Sequence, residues 1–229
     1  MTRRDFIVGG LSAVAAGECL SSPVRSALGA ERNNVKAPLP YDAEVEFIES
    51  TGTQWINTGY ETDCLGITID ITASKSTNAM SEMALIGMVN SNIFELYFMG
   101  GRIHLWCRTF DITNQVSVYT DTVYHIVSFT DSESQSLSVN GEASSRTGSM
   151  GSYGNSKLTI FNYNERYPFL GRVYGCKIYD GTMLVRDFIP VKKDGIGYMY
   201  DRVHPTGGLN GNGLYANAGT EAFLIGPEA

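Results

Sequence analysis

Two adjacent glycines at positions 100 and 101, within the segment IFELYFMGGRIHLWCR (residues 93–108), restrict this chain more than any other feature. Glycine tolerates the positive φ angles of a two-residue hairpin loop, and the flanking residues are types that pack well on a pleated sheet. With Gly100-Gly101 as the loop, alternate pairs match apolar to apolar: Phe98 faces Ile103, Leu96 faces Leu105 and Phe94 faces Cys107. A slip of one residue would turn the whole set to the other face. In this register the second face carries Glu95 beside Trp106 and Tyr97 beside His104, flanked by Arg102 and Arg108. It is expected to be an aromatic and charged surface turned away from the core.

The same grammar continues along the chain. Residues 121–142 read as a strand with mixed apolar faces (Val123, Tyr124, Ile126, Val127, Phe129), a Ser-rich connection and a second strand through Leu137 and Val139. An Asn140-Gly141 turn of the type I′ kind follows. Ile67, Ile69 and Ile71 alternate with Thr68, Asp70 and Thr72, so that strand is half buried. Residues 44–49 (EVEFIE) are expected to form the first strand, with Val45 and Phe47 on the core face. Residues 74–81 read as a polar loop and 83–89 as an apolar strand. Further strands are expected at 157–161, 171–179 and 183–191, the last after an Asp180-Gly181 turn, with short closing strands in the Gly-rich tail. The fold class is therefore all-β: a two-sheet antiparallel β-sandwich of the jelly-roll kind.

The length of 229 residues suits one such domain. With a net charge of −7 and no Lys/Arg cluster, nucleic acid is not expected as a partner, because phosphate binding needs clustered cations. Residues 1–29 read as a leader: Arg3-Arg4 ahead of Asp5-Phe6-Ile7 resembles the twin-arginine export motif, and the apolar run that follows is too short to span a bilayer. A small-x-small cleavage site stands at Ala27-Leu28-Gly29, and Glu18 makes Cys19 a poor lipid-attachment site. Residues 30–40 read as a linker and 41–229 as the domain. The mature protein is expected in the periplasm, at the cell surface or outside the cell, with no membrane span.

Several stretches carry a family resemblance: Tyr124-His125-Ile126-Val127, Leu137-Ser138-Val139-Asn140-Gly141-Glu142, Gly171-Arg172-Val173-Tyr174 and Lys177-Ile178-Tyr179-Asp180. The opening at residues 44–56 (EVEFIESTGTQWI) and the endings at 199–203 and 214–220 belong with them. Together they resemble the concanavalin A-like lectin/glucanase superfamily, in particular the laminin-G-like jelly rolls of bacterial secreted and surface proteins. The resemblance implies the sandwich fold. It leaves function open among sugar binding, protein binding and glycoside hydrolysis, because function resides in the site rather than the fold.

Laminarinase-type hydrolases of this superfamily carry a Glu-x-Asp-x-Glu strand whose outer carboxylates act as nucleophile and acid. Here Glu44-x-Glu46-x-x-Glu49 replaces the Asp, stands at the start of the domain and places Glu49 on the face opposite Glu44. It reads equally as a solvated strand edge. The expected ligand surface is Trp106, His104, Tyr97, Glu95 and Arg102: an indole stacks on the apolar face of a pyranose, and the polar neighbours bond ring hydroxyls. The competing reading is that a loop or the linker covers Trp106, or that Trp106 belongs to a cross-strand packing pair. Tyr163, Arg166 and Tyr167 form a second, loop-borne candidate.

Related jelly rolls hold calcium through loop oxygens; Asp121, Asp131 and Asp180 stand at such places and serve equally as turn residues. No other cofactor is expected. Cys64, Cys107 and Cys176 lack zinc-ligand spacing with His104, His125 or His204, and three mature cysteines allow at most one disulfide, on which folding is not expected to rely, since the twin-arginine resemblance implies folding in the reducing cytoplasm before export. His125 reads as a packed strand residue. No Gly-x-Ser-x-Gly elbow or phosphate-cradling loop is present. The expected function is an exported, non-catalytic binding module for a glycan. The alternatives are a protein-interaction or envelope-structural domain with a cell-envelope protein as partner, and a divergent glycoside hydrolase.

Overall fold

Alternation of apolar and polar side chains becomes strand after strand, and the described residues contain no helix. The computed structural model describes residues 38–88, 94–151, 154–162, 167–208 and 211–229. The expected leader, most of the linker, and the candidates Tyr163 and Arg166 lie outside the described residues. In chain order the strands are β1 (Ala43–Glu44), β2 (Ile48–Thr51), β3 (Ile56–Thr62), β4 (Ile67–Lys75), β5 (Met83–Met88), β6 (Phe94–Met99) and β7 (Arg102–Cys107). They continue as β8 (Phe110–Thr113), β9 (Tyr124–Thr130), β10 (Ser134–Val139), β11 (Glu142–Thr147), β12 (Ser156–Ile160) and β13 (Leu170–Asp180). The last four are β14 (Met183–Lys193), β15 (Ile196–Asp201), β16 (Leu214–Tyr215) and β17 (Leu224–Ile225).

These strands form two antiparallel sheets. The larger runs β11-β10-β9-β4-β13-β14-β15-β16, with β2 also on β13, β17 on β2 and β1 on β14; the smaller runs β3-β12-β5-β6-β7-β8. Ile67, Ile69 and Ile71 of β4 share one core cluster with Ile86, Phe94, Leu96 and Leu105 of the smaller sheet. Burying each such side chain contributes roughly 1.5–3 kcal/mol, which makes this inter-sheet layer the main source of stability.

The two hairpins follow their turn chemistry. Phe98 pairs with Ile103, Leu96 with Leu105 and Phe94 with Cys107 across Gly100 and Gly101, both at positive φ. Val139 pairs with Glu142 across Asn140 (φ 50°) and Gly141 (φ 89°), the left-handed pair that a type I′ turn requires.

Two expectations are corrected. The first strand is broken: β1 ends at Glu44, Val45 makes only an isolated bridge to Glu228, and β2 begins at Ile48. The inward set is therefore Val45, Ile48 and Ser50, because Glu46 and Phe47 bond to the C-terminal segment at Pro227 and Gly226 and shift the phase. Phe47 lies partly exposed against Tyr174 and beneath the Arg172 guanidinium. Second, β4 extends through Ser74 and Lys75, both buried, so the polar loop starts later. The expected strand at 171–179 is present as β13, where an irregularity between Val173 and Gly175 in the β13–β4 register moves the buried series from Val173 to Cys176 and Ile178. No helix among the described residues is long and apolar enough to cross a membrane.

The closest backbone approach in the centre of the larger sheet is at Gly171, where a Cβ would stand 2.2 Å from the Ser74 carbonyl oxygen and 2.7 Å from the Phe169 ring. Gly171→Ala is expected to lower unfolding free energy by about 3 kcal/mol or more in urea titrations. Gly181→Ala, at a positive φ in open space, is expected to lower it by only about 1 kcal/mol. Equal losses would contradict the tight β4–β13 approach.

Candidate functional site

The expected ligand face exists as a strand face but is mostly covered. Glu95 pairs with Trp106 and Tyr97 with His104, as the register requires. Glu95, Tyr97 and His104 are nonetheless buried, and only Trp106 and Arg102 remain partly exposed. Register decides which way a side chain points, whereas the neighbouring strands and loops decide what covers it.

The covered residues form a polar cluster. The His104 ring stacks on Tyr97 with centroids 4.8 Å apart. Its Nε2 donates to the Met99 carbonyl at 3.2 Å, leaving Nδ1 to accept from Thr113 Oγ1 at 3.0 Å. Tyr97 donates its hydroxyl to Asp111 at 3.2 Å. Glu95 Oε1 and Arg102 Nη1 are buried without a hydrogen bond. Burial, reinforced by the carboxylates of Glu82 and Asp111, pushes the Glu95 carboxyl up to about 9.

The remaining candidates are dispersed. Glu44 accepts from the Tyr41 hydroxyl, Glu46 is exposed, and Glu49 is held by Arg172 Nε at 2.9 Å, so this run does not form a converging carboxylate pair. Asp131 accepts from the backbone N–H groups of Glu133 and Ser134, which hold its pKa low, and from the Ser134 hydroxyl. Asp121 lies 3.3 Å from Arg172, and Asp180 bonds Tyr60. Among the described residues no group of three His, Cys, Asp or Glu side chains is arranged to hold a metal ion. His125, expected to pack, is exposed on the outer face of β9, with Nε2 2.8 Å from Asp70. Tyr167 is partly exposed at the end of its loop.

A better-formed site lies elsewhere, where edge strand β3 of the smaller sheet meets β14 and β16 of the larger. Inward-pointing Ile56 and Thr58 are buried, so Trp55, Asn57 and Gly59 turn outward. Together with Lys157, Arg186 and Tyr215 they line a groove of about 440 Å³, within the size range of small-ligand sites. Trp55 is fixed through its backbone: its N–H donates to Asn217 Oδ1 at 2.8 Å, and its carbonyl accepts from Ala218 at 2.8 Å. Tyr215 is set edge-on against Phe188, with centroids 5.0 Å apart.

Arg186 Nε crosses from β14 to donate to the Thr58 carbonyl at 3.1 Å and lies 3.5 Å from the fully buried Asp201. A Cβ on Gly59 would make only ordinary contact with the Tyr215 ring and the Arg186 guanidinium; what favours glycine here is the positive φ of 66°. Asp201 balances Arg186, and Glu61, 3.7 Å away, balances Lys157. The groove thus offers an indole and several hydrogen-bond donors without excess charge. Its one readable trace in the sequence is Trp55-x-Asn57-x-Gly59 in alternation with Ile56 and Thr58.

No family model matches this sequence, and no curated protein sequence matches it. Among solved structures, the chain is similar to a protein of Bacteroides ovatus ATCC 8483 to which carbohydrate binding is provisionally ascribed. That match has a TM-score of 0.58 and 10% identity, and covers 82% of this chain and 61% of the other. It is also similar to domains LG4-5 of the mouse laminin α1 chain, with a TM-score of 0.52 and 11% identity over 82% of this chain and 47% of that one. The chain spans less than two thirds of either neighbour's length. At these identities the likeness shows the fold alone: an antiparallel two-sheet β-sandwich like that of the laminin LG domains, the fold that the sequence resemblance implied.

Glu95 makes stability depend on pH. Its folded-state carboxyl keeps a proton that the unfolded chain loses near 4.5, so its contribution is complete below about pH 4.5 and is lost as pH rises toward 9. Urea titrations at about pH 5 and about pH 8 are expected to show Glu95→Gln, which stays neutral, losing less stability than the wild type over this interval. Identical slopes would mean that Glu95 is ionised in the fold.

Proposed function

We propose that the chain is an exported, non-catalytic glycan-binding module whose ligand occupies the groove between Trp55 and Tyr215. The observation that carries this reading is the groove itself: a half-buried indole with a fixed backbone, next to Asn57, Lys157 and Arg186, around about 440 Å³. Sugars are recognised by stacking of an aromatic ring on the C–H face and by hydrogen bonds to hydroxyls. The paired charges at Arg186–Asp201 and Lys157–Glu61 favour a neutral ligand over an anion. The carbohydrate role ascribed to the Bacteroides ovatus neighbour is in keeping with this reading. Export is supported by Arg3-Arg4 and the apolar run after them. The dispersal of Glu44, Glu46 and Glu49 favours binding over hydrolysis.

Trp106 and Arg102, the accessible part of the covered face, supply a second reading, favoured by the unbonded Glu95 Oε1 and Arg102 Nη1 beneath them. Glycan-array binding followed by titration calorimetry separates the two. Trp55→Ala is expected to weaken binding about tenfold or more, with Trp106→Ala near wild type. The reverse pattern would move the ligand to the sheet face. An absence of glycan binding together with a co-purifying envelope protein would favour the interaction-domain alternative. Glycan hydrolysis lost in Glu44→Gln would make the protein an enzyme.

A further inference from the structure

Cys64 and Cys107 are separated by 43 residues in sequence, yet the fold brings their sulfurs to 3.0 Å. A disulfide bond measures about 2.05 Å, so a small movement separates this thiol pair from a bonded one. Both side chains are fully buried. Cys64 lies in the connection that carries the chain from β3 in the smaller sheet to β4 in the larger, and Cys107 ends β7. The residues beside them clamp the two segments together. Arg108, held at φ 63°, donates through Nη2 to the Asp63 carbonyl at 2.6 Å and through Nη1 to the Met150 carbonyl. Thr130 Oγ1 donates to the Cys64 carbonyl, and the Cys64 N–H donates to Thr62 Oγ1 at 3.0 Å. Four segments of the chain, at residues 62–64, 107–108, 130 and 150, are thus tied together around the two sulfurs.

We propose that Cys64 and Cys107 form a disulfide when the chain folds in the presence of a disulfide donor, tying the β3–β4 connection to β7 and leaving Cys176 as the remaining thiol of the domain. The donor is a small-molecule or protein disulfide. One cysteine thiolate opens the donor's S–S bond and releases one donor thiol; the second cysteine attacks the resulting mixed disulfide and releases the other. One S–S bond forms and one breaks, and the two electrons and two protons lost by the cysteines leave on two donor thiols. The hydrogen bond from Cys107, with help from Arg108, lowers the Cys64 thiol pKa against the opposing effect of burial, whereas Cys107 is raised. Cys176 stands apart on β13 of the larger sheet, where burial raises its pKa and keeps it unreactive. Because neither sulfur of the pair is exposed, the bond closes during folding rather than on the finished sandwich.

The test uses the full chain, unfolded in reductant and refolded either in a glutathione redox buffer or in reductant alone. After denaturation, alkylation and peptide mapping, the monomer from redox buffer is expected to yield Cys64 and Cys107 in one cross-linked peptide pair and Cys176 alkylated. Its Tm is expected to exceed that of the reduced form by about 10 °C, from the closed loop's effect on the unfolded chain. Cys176→Ala should keep this redox-dependent difference and Cys107→Ala should abolish it. Alkylated Cys64 and Cys107 in the folded monomer from redox buffer, or a bridge that includes Cys176, would overturn the proposal. The mapping on the wild-type chain decides the matter even where a variant fails to fold.

Discussion

Hydrogen bonding between β4 and β13 is the contact on which the rest of the sandwich depends. It joins strands about a hundred residues apart, through nine registered pairs from Gly171–Lys75 to Asp180–Ile67. On the outer side of β4 lies β9, which carries β10 and β11; on the outer side of β13 lie β14, β15 and β16. The β9–β10–β11 and β13–β14–β15 hairpins are local and form at little entropic cost, whereas β4–β9 and β4–β13 are long-range pairs that must close before the larger sheet presents one continuous apolar face to the smaller. Glycine at 171 is the chemical condition for that closure, since the β4 backbone occupies the place a side chain would take.

Charged side chains fasten the periphery in the same way. Arg172 reaches Glu49 on β2 and Asp121 ahead of β9 while lying over Phe47, and so binds β2 to the central strand β13. Asp201 accepts the backbone N–H groups of Asp187 and Val203 through one oxygen and faces Arg186 with the other, which links β14, β15 and, through Thr58, edge strand β3. Removing Arg186 would strand the buried Asp201 carboxylate, whereas the Arg172 pairs are partly open to solvent. Glu49, one of three carboxylates whose spacing suggests a catalytic strand, is thus a structural residue.

The parts of the fold legible in the sequence are those that local chemistry decides. Gly100-Gly101 and Asn140-Gly141 prescribe their hairpins because few residues accept the backbone angles involved, and Ile67, Ile69 and Ile71 declare a buried face by their spacing. Burial of the second face of β6 and β7 could not be read this way. Alternation says that Glu95, Tyr97 and His104 share a side of the sheet; it says nothing of Asp111 and Glu82 arriving beside them. The groove was less legible still. Trp55, Arg186 and Tyr215 come from three distant segments and meet only where two sheet edges converge. In the same way Cys64 and Cys107 have no sequence spacing to announce them, and the sandwich supplies their proximity.

The dependence of Trp55 on Asn217 and Ala218 sets an order in time. Ribosomal synthesis delivers the indole and its β3 neighbours early and the opposite wall, Tyr215 with the segment after it, late. A nascent chain displays half a groove, open on one side and without the hydrogen bonds that fix Trp55. The two walls therefore complete one another only when residues 214–218 have docked beside β3, so the order of synthesis leaves this edge of the sandwich unfinished until its last strands have folded.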